Sequence, residues 1–343
     1  MIDPDRPTTP ARSPGPPGGP GRVLVLGAGY LAGHIARRLA ATGAAVTVSS
    51  RRPPATPETG GLRWRPVDVA APAAVRELLG AERPDAVVAV HGPSDITWCE
   101  DHADAALAVH LGGARNLAAA LDGRRVLLIS TDNVFPGHAD SCGESAPCAP
   151  ANAYGRAKLA AEQALFATGA ALALRVSLVY GWDDAGLRPN FLTTAARTLR
   201  RGEPLRVPDD HWNTPVLVDD VAAWTTALLG SPHTGTVHLG GPRRVSRVDW
   251  ARHIARLTGA DPGLVVPAPR DSTLYACRPR NACLHSERAA RLPELRGLRP
   301  LDVLDATRTL LSANPTDPAP FTIDPADPAD STRPADSARK ATT

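Results

Sequence analysis

The fold of this chain is decided by residues 22–33, which read RVLVLGAGYLAG. The first five residues form an apolar run that is typical of a buried parallel strand. Gly27 permits a tight turn, and Gly29 lets the backbone approach a pyrophosphate. Ala32 or Gly33 allows close packing of the helix that follows. The segment therefore predicts a strand, a glycine turn and a helix that together bind a dinucleotide, with a simple packing turn as the alternative.

The N-terminus of this helix is the expected pyrophosphate site. Its free amides and the positive end of its dipole favour an anion. The predicted cofactor-binding residues of the turn are Gly27, Gly29, Tyr30 and Leu31.

The second strand, predicted at residues 45–48, indicates which dinucleotide is bound. An NAD site usually has a carboxylate at the end of this strand to bind the ribose hydroxyls. Here the strand runs into Ser49, Ser50, Arg51 and Arg52. Hydroxyl and guanidinium groups suit a 2′-phosphate, and no carboxylate is present to repel it. We therefore predict that Ser50, Arg51 and Arg52 favour NADPH over NADH, unless the two arginines are merely solvated loop residues.

A third short strand, predicted within residues 62–69, ends at Asp68 and Val69. An Asp in this place could bond the adenine amino group of a cofactor. It could equally cap the helix that follows, and the sequence leaves both roles open. On the first interpretation Asp68 and Val69 are cofactor-binding residues.

Strands and helices alternate through the next part of the chain. Further buried strands are predicted at residues 86–90 and 125–130, with helical patterns between them. This alternation predicts an α/β fold with a Rossmann-like, doubly wound parallel sheet. Ligands of such sheets bind beyond the carboxyl ends of the strands. Thr131 and Asp132 lie at such an end.

Tyr154 and Lys158 form a second candidate site. Four residues apart on a helix, the two side chains share one face. The ammonium can then lower the phenol pKa by roughly 1–3 units from its usual value near 10. That change makes the phenol a usable acid or base near neutral pH. A solvated helix face is the alternative for an isolated Tyr-x-x-x-Lys pattern.

Composition and charge exclude several classes of protein. The chain has 343 residues, of which 43% are hydrophobic, and a formal net charge of +3. It has no block of five or more like charges, so nucleic acid is not an expected partner. No run of about eighteen apolar residues predicts a membrane span, and no signal peptide is visible. The five scattered cysteines predict reduced thiols in the cytoplasm, and they lack the close spacing of a zinc site.

Two Pro-rich segments mark the ends of the folded region. Residues 1–20 and 313–343 are predicted to be disordered, because their composition cannot offset the entropy of ordering. Residues 21–182 are predicted to form the dinucleotide-binding core, to which segments near 213–242 return. The remainder of 183–312 is predicted to form a smaller substrate-binding lobe.

Two sequence blocks carry a resemblance to a known family. Residues 130–137 read STDNVFPG, and residues 154–162 read YGRAKLAAE. Together they resemble the extended short-chain dehydrogenase/reductases, and among these the dTDP-4-dehydrorhamnose reductase family. The likeness continues through NTP at 213–215, VDDVA at 218–222 and HLGG at 238–241, and it spans about residues 22 to 312.

The resemblance implies an activity and roles for individual residues. It implies NADPH-dependent reduction of the keto group of a nucleotide-activated deoxysugar, by a monomer or a homodimer. Thr131 is similar to the hydroxyl that binds the reacting carbonyl, Tyr154 to the proton donor, and Lys158 to the residue that binds the nicotinamide ribose. Asp132 and Asn133 of the first block are candidate substrate-binding residues, and Arg278 could either contact the nucleotide of the substrate or form a structural salt bridge.

The chain also departs from the family pattern at several places, among them the spacing of the glycine turn. Asn133 stands where the family commonly has Tyr. His91 stands in a stretch where the family usually has small residues, and His110 takes the place of an Asn on a helix. Either histidine could relay a proton or be structural. Two other functions within the resemblance stay open. One is an NAD-dependent nucleotide-sugar epimerase or dehydratase, and the other is a non-catalytic subunit similar to the regulatory subunit of methionine adenosyltransferase.

Overall fold

The structure of the protein is a computed structural model that describes residues 21–53, 62–182, 189–272 and 275–313. The N-terminal tail predicted for residues 1–20 lies outside the described residues. Of the tail predicted for 313–343, Ala313 is the last residue of a helix, and the rest also lies outside them.

A seven-stranded parallel sheet forms the centre of the fold, which confirms the predicted doubly wound α/β class. Its strands, in chain order, are β1 (Arg22–Leu26), β2 (Ala45–Ser50), β3 (Arg63–Pro66), β4 (Ala86–Ala89), β5 (Arg125–Thr131), β6 (Ala171–Val176) and β11 (Gly235–Leu239). Their order across the sheet is β11-β6-β5-β4-β1-β2-β3. The strand order therefore reverses between β1 and β4, the point at which such sheets bind ligands.

Both faces of the sheet are covered because successive side chains of a strand point to opposite sides. Val23 and Val25 of β1 pack against the helices α1 (Tyr30–Ala41) and α8 (Val218–Leu229). Leu24 and Leu26 pack on the other face. The helices of that face are α2 (Pro72–Glu82), α5 (Gly113–Ala120) and α6 (Ala153–Phe166). The continuous apolar run in the sequence thus reflects burial on both sides.

Three short helical segments connect β4 to α5. They are α3 (Ile96–Asp101), α4 (Ala103–Leu107) and a π-helical turn at Ala108–Gly112. Asp95 caps α3 by accepting hydrogen bonds from the amides of Thr97 and Trp98. The π turn leads directly into α5 and places His110 in the bend.

A smaller lobe with its own core lies beyond the sheet. Its helices are α7 (Phe191–Arg200), α9 (Arg247–Thr258) and α10 (Val303–Ala313). Its short strands pair as β7 (Val179–Tyr180) with β10 (Val216–Leu217), and β8 (Leu205–Pro208) with β13 (Val265–Ala268). The strand β9 (Trp212–Asn213) lies between β12 (Val245–Ser246) and β14 (Asn281–Ala282). The buried Trp250 is at the centre of this core, and its indole nitrogen donates to Thr307 Oγ1 at 2.9 Å.

None of the helices in the described part of the chain is both long and apolar enough to cross a membrane.

Candidate active site

The glycine turn after β1 leaves open space at the N-terminus of α1. Gly27 has a φ of +129°, and a Cβ there would lie 3.1 Å from the carbonyl oxygen of Val90. At Gly29, by contrast, no atom of the described residues lies within 4 Å of the position a Cβ would take. The helix begins at the next residue, Tyr30, so its free amides face this space. The turn can therefore hold a phosphate group.

The small residue that lets α1 pack closely is Ala32. It is buried in the core between helix and sheet, whereas a Cβ at Gly33 would meet the guanidinium of Arg37. The predicted cofactor residue Leu31 packs against the same core. The hydroxyl of Tyr30 lies against Gly181, where a Cβ would come within 2.8 Å of it.

The end of β2 presents hydroxyl and guanidinium groups. The Ser50 hydroxyl donates to the carbonyl oxygen of Arg52 and accepts from the indole nitrogen of Trp64 at 3.1 Å. Arg51 and Arg52 are both exposed at this edge of the sheet. Positive charge is therefore exposed at the end of this strand.

Asp68 caps the turn that leads into α2. Its Oδ1 accepts from the amide of Ala70 at 2.9 Å, and the carbonyl oxygen of Val69 accepts from Asn116 Nδ2 at 2.8 Å. The bond from Ala70 lies within the turn before α2, whose N-cap is Ala71 and receives no side-chain hydrogen bond from the described residues, so Asp68 does not cap the helix as the sequence allowed. Binding of adenine by Asp68 and Val69 stays a prediction.

Thr131, Asp132 and Asn133 form one buried network at the carboxyl end of β5. Thr131 Oγ1 donates to Asp132 Oδ1 at 3.1 Å and accepts from Asn133 Nδ2 at 3.1 Å. Asn133 Nδ2 also donates to Asp132 Oδ1 at 2.8 Å. Burial raises the pKa of Asp132 to about 6, against the hydrogen bonds from Ser177, Thr131 and Asn133 and the positive charge of Arg247, which lower it. The carboxyl group beside Thr131 can therefore change its protonation state near neutral pH.

Asn133 also connects this network to the first turn of α6. Asn152 Nδ2 donates to Asn133 Oδ1 at 2.9 Å, while Asn152 Oδ1 caps the helix by accepting from the amide of Gly155 at 2.8 Å. A Cβ at Gly155 would lie only 2.0 Å from the carbonyl oxygen of Asn133. The helix that carries Tyr154 is thereby fixed against the strand end that carries Thr131.

Lys158 lies one turn beyond Tyr154 and is 4% exposed, while Tyr154 is half-buried. Burial lowers the pKa of Lys158 to about 8, and the negative charge of Glu162 opposes the shift. The same helix is anchored below Lys158 by Glu162, which accepts from Arg175 at 2.7 Å and from the Ser130 hydroxyl. Lys158 is therefore held as a weakly solvated ammonium at the edge of the sheet.

Two histidines lie next to this pair. His91 is 6% exposed and His110 is 2% exposed. Burial first, and then the charge of Lys158, lower the pKa of His91 to about 4 and that of His110 well below its usual value. The His110 ring meets the Tyr154 ring edge to face, with centroids 5.7 Å apart. Both imidazoles are thus neutral at physiological pH.

A cluster of positive charge faces the site from the small lobe. Arg247 is 4% exposed, and its Nε and Nη1 find no hydrogen-bond partner among the described residues. Its guanidinium lies 4.5 Å from the ring centre of Phe191 and 5.3 Å from that of Tyr275. Arg278, which also stacks on Tyr275, donates to Thr97 Oγ1 at 3.1 Å. Cations of like charge brought together in this way favour an anionic ligand.

The buried His211 lies beside these arginines as a neutral imidazole. Burial lowers its pKa well below the usual value, and Arg247, Arg278 and Arg270 reinforce the shift. Sequence reasoning proposed Arg278 but missed Arg247 and His211. The sequence gives no signal for them, because their burial depends on contacts between segments that are far apart in the chain.

Within the described ranges, no three side chains of His, Cys, Asp or Glu are grouped closely enough to hold a metal ion.

Comparisons with known proteins agree with this geometry. The family model of the RmlD substrate binding domain matches residues 21–297. A dTDP-4-keto-6-deoxy-D-glucose reductase from Streptomyces niveus is 34% identical over 210 residues, which cover 60% of this chain and 72% of that protein. A dTDP-4-dehydrorhamnose reductase from Mycobacterium tuberculosis is 31% identical over 244 residues, covering 68% and 77%.

A solved structure shows the same fold. The dTDP-4-dehydrorhamnose reductase from Bacillus anthracis, in complex with NADP, superposes with a TM-score of 0.72 at 22% identity. The match covers 85% of this chain and 99% of that one.

Proposed function

Because the chain belongs to the RmlD substrate binding domain family, we propose that it is an NADPH-dependent reductase of a nucleotide-activated keto-deoxysugar. The substrate we favour is a dTDP-4-keto-6-deoxyhexose, the class named in the curated relatives. The product is the corresponding alcohol, formed with one NADPH and one proton consumed per carbonyl group reduced.

One observation carries this proposal. The hydrogen bond between Asn152 and Asn133 joins the helix of Tyr154 and Lys158 to the strand end of Thr131. This contact supports a site in which an acid, a cation and a hydroxyl donor act together where a parallel sheet binds its ligand. These are the groups that reduction of a carbonyl requires.

The residues around the glycine turn fit a phosphorylated dinucleotide. The open space at Gly29 and the amides at the start of α1 suit the pyrophosphate. Ser50, Arg51 and Arg52 suit the 2′-phosphate, and Lys158 suits the hydroxyls of the nicotinamide ribose. When bound, NADPH supplies the hydride that reduces the carbonyl carbon.

The protein supplies the proton and stabilises the charge. Tyr154 gives its phenolic proton to the carbonyl oxygen as negative charge develops there, while Thr131 turns its hydroxyl proton from Asp132 toward the same oxygen. Lys158 favours the phenolate that remains, since an opposite charge close by stabilises an anion. The phenolate then regains a proton from solvent, which completes the cycle.

The arginine cluster of the small lobe suits the diphosphate of the substrate. Arg247 offers two buried donors, Nε and Nη1, that have no partner among the described residues, and Arg278 brings a second charge. A diphosphate compensates both charges and accepts their hydrogen bonds. Asp132 and Asn133 then act close to the sugar through their contacts with Thr131.

We place the enzyme in the cytoplasm, as a monomer or a homodimer. All five cysteines are free thiols, which suits a reducing compartment. Titration of the unfolded protein with a thiol reagent should find five thiols without prior reduction.

The proposed function is tested by mixing purified protein, NADPH and a panel of dTDP- and UDP-linked keto-sugars. The absorbance of reduced nicotinamide and the sugar products are then followed together. We expect one NADPH consumed for each alcohol formed, with the dTDP-linked 4-keto sugars reacting fastest. Conversion of a sugar without net NADPH consumption would instead indicate an epimerase or dehydratase. Lack of any turnover, together with tight binding to another enzyme, would indicate a regulatory subunit.

A further inference from the structure

We infer that His110 is a positioning residue for Tyr154 and that it is held in place by a reciprocal packing of two histidines on two glycines. The four residues are His91, Gly92, His110 and Gly113, and we refer to them as the histidine–glycine interlock. The inference rests on the proposed function, because positioning Tyr154 matters only if its phenol is the acid.

The packing is reciprocal. The ring of His110 covers Gly92, where a Cβ would come within 2.3 Å of Cε1 and 2.5 Å of Nδ1. The ring of His91 covers Gly113, where a Cβ would come within 2.8 Å of Nε2. Each histidine thus lies close in sequence to the glycine that the other histidine covers. Neither ring can keep its place if the opposite glycine gains a side chain.

The interlock joins two separate parts of the fold. His91 and Gly92 follow β4 at the carboxyl edge of the sheet, and Gly92 has a φ of +97°. His110 lies in the π-helical turn, and Gly113 begins α5. The interlock therefore fastens the bend between α4 and α5 onto the end of the sheet, beside the proposed nicotinamide site.

The ring of His110 is further fixed by a hydrogen bond. Its Nε2 donates to the carbonyl oxygen of Pro93 at 2.8 Å. A carbonyl oxygen only accepts, so this bond places the proton of the neutral ring on Nε2. Backbone contact on one side and the hydrogen bond at one edge leave the ring a single orientation.

This fixed ring meets Tyr154. The two rings are inclined by 69° with centroids 5.7 Å apart, an arrangement that aromatic rings favour. Tyr154 is only half-buried, so His110 supplies a rigid wall on its protein side. The other titratable groups that face His110 are Lys158 of α6 and His91. The phenol therefore takes its direction from a ring that is itself immobile.

A purely structural core would not require this arrangement. Apolar side chains would fill the same space without placing imidazole nitrogens beside a buried ammonium. The free-energy cost of burying these imidazoles is explained if the ring of His110 is needed to orient the phenol of Tyr154. A misplacement of a catalytic group by about 1 Å can lower a rate about 100-fold.

The test compares two neighbouring glycines of the same bend. Gly113→Ala displaces the ring of His91, whereas Gly112→Ala is its matched control, because no described atom lies within 4 Å of a Cβ at Gly112. His110→Ala removes the positioning ring itself. Each variant is assayed for kcat, KM for NADPH and the pH dependence of kcat.

We expect His110→Ala to lower kcat about 10- to 100-fold. Its KM for NADPH should change less than about threefold, and the phenol limb of its pH profile should move. Gly113→Ala should show part of this effect, and Gly112→Ala should match wild type. Adding His91→Ala to Gly113→Ala should cost less than the sum of the single changes, because both disturb one contact. The inference is overturned if His110→Ala keeps the wild-type kcat and pH profile, or if Gly113→Ala and Gly112→Ala behave alike.

Two further measurements keep the test decisive. If His110→Ala does not fold, the comparison of Gly113→Ala with Gly112→Ala decides whether the interlock positions Tyr154. If wild type reduces no keto-sugar, the proposed function has failed. The interlock is then tested by unfolding free energies, where additive losses for His91→Ala and Gly113→Ala would refute the contact itself.

Discussion

Glu162 and Arg175 form an ion pair with an N–O distance of 2.7 Å in the interior of the protein, where their side chains are 0% and 6% exposed. The pair ties α6 to β6, one turn below Lys158. It therefore supports the helix that presents both Tyr154 and Lys158 to the site. Removing this ion pair should lower the free energy of unfolding more than it changes the rate of the proposed reaction.

We expect Arg175→Met to lower the free energy of unfolding by about 3–5 kcal/mol, because Glu162 would keep a buried charge without a partner. Arg308→Met, which breaks the exposed pair with Asp305, should change it by less than about 1 kcal/mol. Denaturant unfolding of both variants measures the difference. Equal and small losses would show that the buried pair contributes little.

We predict that the affinity for NADPH depends on pH, because Lys158 loses its positive charge as the pH rises. Burial lowers its pKa from the usual 10.5 to about 8, so the free enzyme loses this charge as the pH rises through 8. If only the ammonium form binds the ribose well, the Kd for NADPH should rise by up to about tenfold per pH unit above that point. Lys158→Met should bind more weakly and without this dependence. Fluorescence titrations between pH 7 and pH 9.5 provide the measurement, and an equal slope in both proteins would exclude Lys158 as its source.

We predict that Arg51 determines the preference for NADPH over NADH. Arg51→Asp replaces a cation by an anion at the proposed 2′-phosphate site. A hydrogen bond to a charged group contributes about 1.5–3 kcal/mol, so the KM for NADPH should rise about 10- to 100-fold, and that for NADH should change little. Arg76→Asp makes the same change of charge on the exposed face of α2 and should leave both constants unchanged. A parallel rise for both cofactors in Arg51→Asp would contradict the assignment.

We predict that replacing Arg247 weakens binding of the substrate without lowering the stability of the fold. Arg247→Met should weaken binding of dTDP about 10- to 100-fold, as loss of a charged hydrogen bond does. Thymidine, which has no phosphate, should bind as it does to wild type. The variant should unfold at the same temperature or higher, because an unpaired buried charge has been removed. Arg256→Met, exposed on the same helix, is the control. Calorimetry that found unchanged affinity for dTDP in Arg247→Met would remove Arg247 from the substrate site.

The sheet and the helix that carries Tyr154 and Lys158 could be predicted from the sequence because their signals are local. The apolar run at 22–26, the glycines at 27 and 29, and the spacing of Tyr154 and Lys158 each fix a geometry within one element. The doubly wound sheet then follows from alternation of strands and helices. The family resemblance added Thr131 and Arg278 to the predicted site, because both residues lie in segments that resemble the family.

Other features depend on contacts between distant segments and left no such signal. Arg247 is at the start of an ordinary amphipathic helix, and only the packing of Phe191 and Tyr275 around it creates a buried, unpaired charge. Similarly, the contact of His91 with Gly113 joins two turns that are 22 residues apart in the sequence. Asp68 is a further case, since the sequence allowed a helix cap or an adenine contact, and the structure shows a hydrogen bond from Ala70 within the turn before α2 instead.

The central claim is that Tyr154 donates the proton to the carbonyl oxygen. It is tested most directly by single-turnover reduction of a dTDP-4-keto-6-deoxyhexose by wild type and by Tyr154→Phe, with NADPH bound to both proteins. We expect the variant to bind NADPH within about threefold of wild type and to transfer hydride at least about 100-fold more slowly, which is the range that general acid catalysis contributes. Hydride transfer by Tyr154→Phe at the wild-type rate would contradict the account.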